Sequence, residues 1–284
     1  ISYPPRQTGG LVFAETYRRG SQIDQIRLTF HDQKNITFLL ENNFWVIREA
    51  DYYYANMEFL DLLIRDLNLS EFYHRQQSFP DNVSQNNEVL IETFAQGQNL
   101  DHMVISAPAA NPAYHFAHRR GEKETWLISG KFNLPPETYS WIMQPLLNYP
   151  PQMIEAVSLD GETLNRRDPR SLFTDSQNRQ RSLNPLLDQF SYLIAQDVLS
   201  AQNFDETAFK KLRQISATTF SGLVTTLDLL SNGRDYWLKI TLSATTLPTH
   251  DVNAYIRDNT FLYDGWFFKI APATGKLLEN FKPL

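Results

Sequence analysis

His115-Phe-Ala-His118 is the closest pair of histidines in the chain. On a helix this spacing would set two imidazoles on one face, as a zinc site needs. On a strand it would send them to opposite faces. The surrounding "NPAYHFAHRRGE" reads as strand and turn, and Arg119 and Arg120 follow directly, cations that oppose a bound metal. A metal-dependent hydrolase at His115 and His118 is therefore the weakest functional reading. Asp101-His102 has no recognisable third ligand. The chain has no cysteine, which excludes a thiolate zinc site, a disulfide framework and a cysteine nucleophile. No G-x-S-x-G elbow is present; Ser221-Gly222 reads as part of a strand alternation and Ser106 as part of a turn. Neither phosphate-binding glycine motif occurs. Asp51, Glu58 and Asp61 read as members of solvated faces. The expectation is a non-enzyme with no catalytic, cofactor-binding or metal-binding residues.

Aromatic residues are 13% of the chain and include the run Tyr52-Tyr53-Tyr54. Such rings can stack on a sugar or peptide, so these three tyrosines are the candidate ligand surface. The competing reading is structural, because β-rich folds use aromatics and a strand exposes alternate members of any run. Trp126 and Trp141 read as packing residues.

Any such surface has to be held by a scaffold, and the totals describe one. The chain has 284 residues, 42% hydrophobic and 20% charged, enough for a sizeable core. A net charge of -6 argues against nucleic acid as a partner. The pairs Arg18-Arg19, Arg119-Arg120 and Arg166-Arg167 read as solvated turns. No apolar run is long enough to span a membrane. The sequence starts at Ile1, which leaves room for a signal or anchor upstream of it. Asn35, Asn68 and Asn82 each head an Asn-x-Ser/Thr triplet, a pattern that also arises by chance.

Residues 1–19 read as a linker or tether. Ile23, Ile26, Leu28 and Phe30 are strand-like, and "NITFLLENNFWVIRE" reads as a hairpin turning at Glu41-Asn42-Asn43. Leu60, Leu63, Ile64 and Leu67 predict a helix with Asn56 as its N-cap. Residues 74–88 read as a long loop. Residues 89–105 and 113–130 read as strands. Pro135-Pro136 and Pro145 bracket a short predicted helix holding Trp141. "MIEAVSL" returns to strand. Leu183, Leu186, Leu187, Phe190, Leu193, Ile194 and Val198 keep helical spacing, with Asn184 and Pro185 at its start. "DETAFKKLRQI" reads as a short helix. Alternation either side of Ser231-Asn232-Gly233 predicts a hairpin, and "GWFFKI" a last strand.

The order of these elements repeats. Ile23-x-x-Ile26-x-Leu28 leads through a polar region to the helix at Leu63, and Ile154-x-x-Val157-x-Leu159 leads in the same way to Phe190. A period of about 130 residues implies duplicated lobes, not a solenoid. The expected class is α+β, with antiparallel β-rich lobes each carrying a packed helix and an internal hairpin-plus-helix repeat. The expected division is a tether at 1–19, a first unit at 20–80, a second with inserted strands at 81–204, and a C-terminal helix-and-hairpin unit at 205–284.

Trp126, Leu127, Ile128 and Gly130, then Trp141, Pro145, Leu146 and Leu147, then Ile154 and Val157 form a pattern. It resembles the bacterial envelope family known as domain of unknown function 4340. "FLLENNFWVIREADYYYANMEFLDLLIRDL" is also similar to that family's order of strand, Trp-bearing strand and helix, and the resemblance spans roughly residues 20–205. It implies an N-terminal membrane anchor, an extracytoplasmic (periplasmic) position at the bacterial inner membrane, and an envelope or ABC-type transport protein as partner. It implies no catalytic residues. The leading expectation is thus a membrane-tethered accessory or interaction domain of such a transport system. A glycan- or peptide-binding module using exposed aromatics is the alternative.

Overall fold

A computed structural model describes residues 9–76, 88–108, 111, 113–122 and 124–283. It is an α+β protein whose chain divides into two compact units, one ending at Met143 and the other beginning at Gln144.

The first unit holds one antiparallel sheet. Its strands are β1 (Gln25–Phe30), β2 (Asn35–Glu41), β3 (Phe44–Ile47), β4 (Tyr53–Tyr54), β5 (Phe72–Gln76), β6 (Val89–Ala95), β7 (Gln98–Pro108), β8 (Tyr114–His118) and β9 (Thr125–Ser129). Their order across the sheet is β4-β3-β2-β1-β6-β7-β8-β9-β5. Helix α1 (Ala14–Arg18) precedes β1, and α2 (Met57–Leu69) lies between β4 and β5. The alternation in β1 turns Ile26, Leu28 and Phe30 into the core. Asn42 and Asn43 take left-handed φ values of 50 and 69, the geometry a two-residue hairpin needs. Asn56 caps α2 by accepting from the Glu58 amide at 3.0 Å, and α2 buries Leu60, Leu63 and Leu67.

The second unit is built in the same order. Its strands are β10 (Ile154–Leu159), β11 (Glu162–Asn165), β12 (Phe173–Thr174), β13 (Gln180–Arg181), β14 (Asp197–Ser200), β15 (Lys210–Thr219), β16 (Leu223–Ser231), β17 (Tyr236–Ala244) and β18 (Trp266–Ile270). They run β13-β12-β11-β10-β15-β16-β17-β18-β14, which is the first sheet's order strand for strand. Helix α3 (Asn184–Ser191) stands where α2 stands, between the fourth and fifth strands. The lead-in segments correspond too: Leu11 bridges Glu71 just after α2, and Leu147 bridges Leu193 just after α3. The second unit adds α4 (His250–Asn259) between β17 and β18, and α5 (Pro272–Asn280) after β18.

Several local expectations change. The divisions at 80/81 and 204/205 would each cut a sheet, because β1 pairs with β6 and β10 with β15 across them. The tether does not extend to 19: Val12 and Phe13 are buried and α1 begins at Ala14. Trp141 follows a single 3-10 turn, Thr138–Ser140, in place of the expected two-turn helix. Helix α3 ends at Ser191; Leu193 enters the bridge to Leu147, and Val198 lies in β14. "DETAFKKLRQI" has one 3-10 turn, Glu206–Ala208, before β15 takes over and pairs with β16. In β10 the Ile-x-x-Val spacing puts two residues on one face because a register shift lies between Ile154 and Ala156.

The aromatic surplus is largely structural. In the second unit Phe204, Leu230, Trp237 and Phe267 form a cluster, with Leu199 and Phe209 against it. Phe204 stacks on Phe267 at 4.0 Å between ring centres and on Phe209 at 4.8 Å. The loop holding Phe204 and Phe209 thereby covers the sheet face opposite the one that Leu238 and Phe268 occupy. Trp141 is 1% exposed in the first unit; its indole donates to the Pro135 carbonyl at 2.9 Å and its ring meets Phe38 edge-on at 5.2 Å.

Candidate functional site

The three tyrosines are placed by a tight turn. Asp51 and Tyr52 are both left-handed, with φ of 55 and 66, an uncommon state for residues other than glycine. The turn separates the run. Tyr52 is 45% exposed, Tyr53 is buried opposite Ile47, and Tyr54 is half-buried opposite Val46. Tyr54 sits edge-on to Phe44 and to Tyr53, each at 5.6 Å, and burial raises the pKa of its hydroxyl. The run therefore presents one open ring and a half-covered one.

His115 and His118 lie on strand β8 and so point to opposite faces. His115 is buried, its Nδ1 3.0 Å from the Ser106 carbonyl, with its ring edge-on to Phe132. Burial lowers its pKa, opposed by the Ser106 carbonyl and by Asp66. Asp101 accepts from the Thr16 amide at 2.6 Å, and His102 stands opposite Glu92. Among the described residues, no group of three or more His, Asp or Glu side chains is arranged to hold a metal. Ser106 lies in β7 and Ser221 in the β15–β16 turn, the reverse of the sequence reading. Asn35 opens β2 and Asn68 lies in α2; Asn82 is outside the described residues.

Arg166 departs from the expected solvated turn. It is only 9% exposed and donates to the carbonyls of Ile154, Pro169 and Pro151, with Phe173 and Phe220 against its guanidinium. Asp175 is a second buried polar anchor. Burial alone would raise its pKa, but the Arg179 and Gln177 amides and the Arg179 and Arg181 side chains hold it well below the usual carboxylate range.

Two shallow polar depressions occupy matching places in the two sheets, on the outer face where the first and sixth strands of each unit meet. The first is lined by Arg27, Thr29, His31, Asn35 and Glu92 among others. The second is lined by Ser158, Asp160, Lys211, Arg213 and Ser216 among others. Their charges are paired locally: Arg27 with Glu92 at 2.8 Å, Arg213 with Asp160 at 2.6 Å, Lys211 with Asp228 at 2.8 Å. Such surfaces can hydrogen-bond a polar ligand.

One feature missed in the sequence is apolar. In the first unit Leu40, Phe44, Met57, Phe59, Leu62 and Leu69 are exposed. Phe59, Leu62 and Leu69 lie along one side of α2, next to its buried stripe; their spacing of three and seven was the available signal. No family model, curated protein or solved structure matches the chain.

Proposed function

We propose that the protein is a non-catalytic interaction module of a bacterial envelope transport system, tethered upstream of Ile1 at the extracytoplasmic face of the inner membrane. The observation that carries this reading is the exposed strip Phe59, Leu62 and Leu69 on α2. Phe59 also meets the buried Trp141 edge-on, but Leu62 and Leu69 lie outside the stripe of Leu60, Leu63 and Leu67 that packs the helix. A row of exposed apolar side chains along one helix is the kind of surface that a protein partner covers. The resemblance to domain of unknown function 4340 supplies the location and the partner class. The residues that carry the resemblance are core residues of this chain: Leu127, Ile128, Trp141, Ile154 and Val157 are buried. The glycan- or peptide-binding alternative is weakened by the burial of Tyr53.

A photo-crosslinker at Leu62 of the full-length anchored protein in native membranes tests the proposal. The expected product is an adduct with a transport-system component, lost when the exposed Leu69 is changed to Glu. Adducts confined to unrelated abundant proteins, or unchanged in that variant, sink it.

A further inference from the structure

Four connections of the second unit converge at one end of its sheet, where Ile154 pairs with Thr219, Ala156 with Asn165, and Leu223 with Ala244. They are fastened together. The Phe220 amide donates to the Met153 carbonyl at 3.0 Å, and the Thr249 amide to the Ser221 carbonyl at 2.9 Å. Gly222 is so close to Pro248 that a Cβ there would lie 2.9 Å from its Cα. Arg166 joins the 166–172 connection to the carbonyls of Pro151 and Ile154. Each connection carries an exposed large apolar side chain: Met153 at 46% exposure, Leu172 at 60%, Leu247 at 92%, and Phe220, 37% exposed beside the Arg166 guanidinium.

The first unit is an internal control, because it has the same strand order. Its corresponding turns are Gly20–Gln22, Asn42-Asn43, Gln96-Gly97 and the stretch beginning Arg119-Arg120-Gly121. These are polar, with Leu40 and Phe44 only flanking one of them. Three of these four turns thus have no large apolar side chain, so the fold does not require one there.

We infer that this loop end of the second unit docks on a lipid bilayer. Three arguments favour a bilayer over a protein. The apolar groups are one side chain on each of four connections, and fluid acyl chains accept such tips without a shaped surface, whereas a protein partner needs a packed, complementary area of about 800 Å² on each side. Arg167 and Arg170, both exposed, lie in the same connection as Leu172 and can reach headgroup phosphates. The acid between them, Asp168, folds back on its own loop, accepting from the Arg170 and Ser171 amides and the Ser171 hydroxyl. The contact depends on these loops alone and not on the tether or partner proposed above.

Vesicle flotation of the 284-residue chain tests it, using phosphatidylcholine with and without phosphatidylglycerol. The expected result is flotation with the anionic vesicles and less with the neutral ones. Leu247→Glu and Leu172→Glu, both at exposed positions, should melt like the unaltered protein, yet each should lose about tenfold in vesicle affinity. Tyr17→Glu, about as exposed as Leu172 but in the first unit, should float unchanged. Failure of the unaltered chain to float, or flotation that Leu247→Glu and Leu172→Glu leave intact, overturns the proposal. So does an equal loss in Tyr17→Glu.

Discussion

Gly275 of α5 lies flat against the ring of Tyr236 in β17: a Cβ on Gly275 would stand 2.1 Å from the ring's Cγ. The same tyrosine donates its hydroxyl to Glu279 at 2.7 Å, one turn further along α5. Arg213 holds the end of the helix by donating to the carbonyls of Leu278 and Phe281. Alanine is a better helix former than glycine by about 1 kcal/mol, but overpacking costs about 1–3 kcal/mol. Gly275→Ala should therefore lower the denaturant midpoint. Combined with Tyr236→Ala it should cost less than the two single changes summed. Additive losses would mean that the contact is not the cause.

Trp141→Ala should be among the most damaging changes in the first unit. It removes a buried indole, its bond to Pro135 and its contacts with Phe38 and Phe59. Such truncations cost about 3–5 kcal/mol. Thermal melting is the measurement; a midpoint equal to wild type would contradict the packing role.

Acid should destabilise the protein in two stages. His115 has its folded pKa lowered by burial, so its contribution is present above the unfolded value of about 6.5 and fades as pH falls through the lower folded value. Asp175 is also depressed, so its contribution is present above about 3.9 and is lost only in stronger acid. Urea midpoints measured across pH should fall in both ranges. His115→Phe should remove the first fall and Asp175→Asn the second.

Each nine-stranded sheet draws all its strands from one side of the Met143/Gln144 boundary. Residues 144–284 alone should therefore fold with one cooperative melt and a β-rich circular dichroism spectrum. A spectrum of unfolded chain would mean that the second unit depends on the first.

What the sequence revealed depended on how local the deciding interaction was. Helix α2 was legible because Asn56, Leu60, Leu63 and Leu67 lie within a few turns of one another. The β16–β17 hairpin was legible for the same reason. The end of α3 was not, since Leu193 keeps helical spacing but pairs with Leu147, a partner that periodicity cannot reveal. Lys210 onward reads as helix yet serves as the strand between β10 and β16. The duplication was visible as an order of elements, while its boundaries required knowing that β1 reaches over to β6. The exposure of the tyrosine run turned on two left-handed residues, Asp51 and Tyr52; aspartate adopts that state more readily than most residues, but nothing in the type of Tyr52 signals it.

The shared strand order also bears on how the chain is made. In each sheet the first strand meets its second neighbour late: Phe30 waits for Val89, and Leu159 for Ile215. Until then the growing polypeptide carries an open edge, and its own second half later supplies a strand of equivalent position. Closing long loops is slow, and tandem repeats of one design characteristically exchange parts when they refold together. Vectorial synthesis, which lets β6 reach β1 before β15 exists, guards against that exchange; dilution from denaturant, which releases both halves at once, does not.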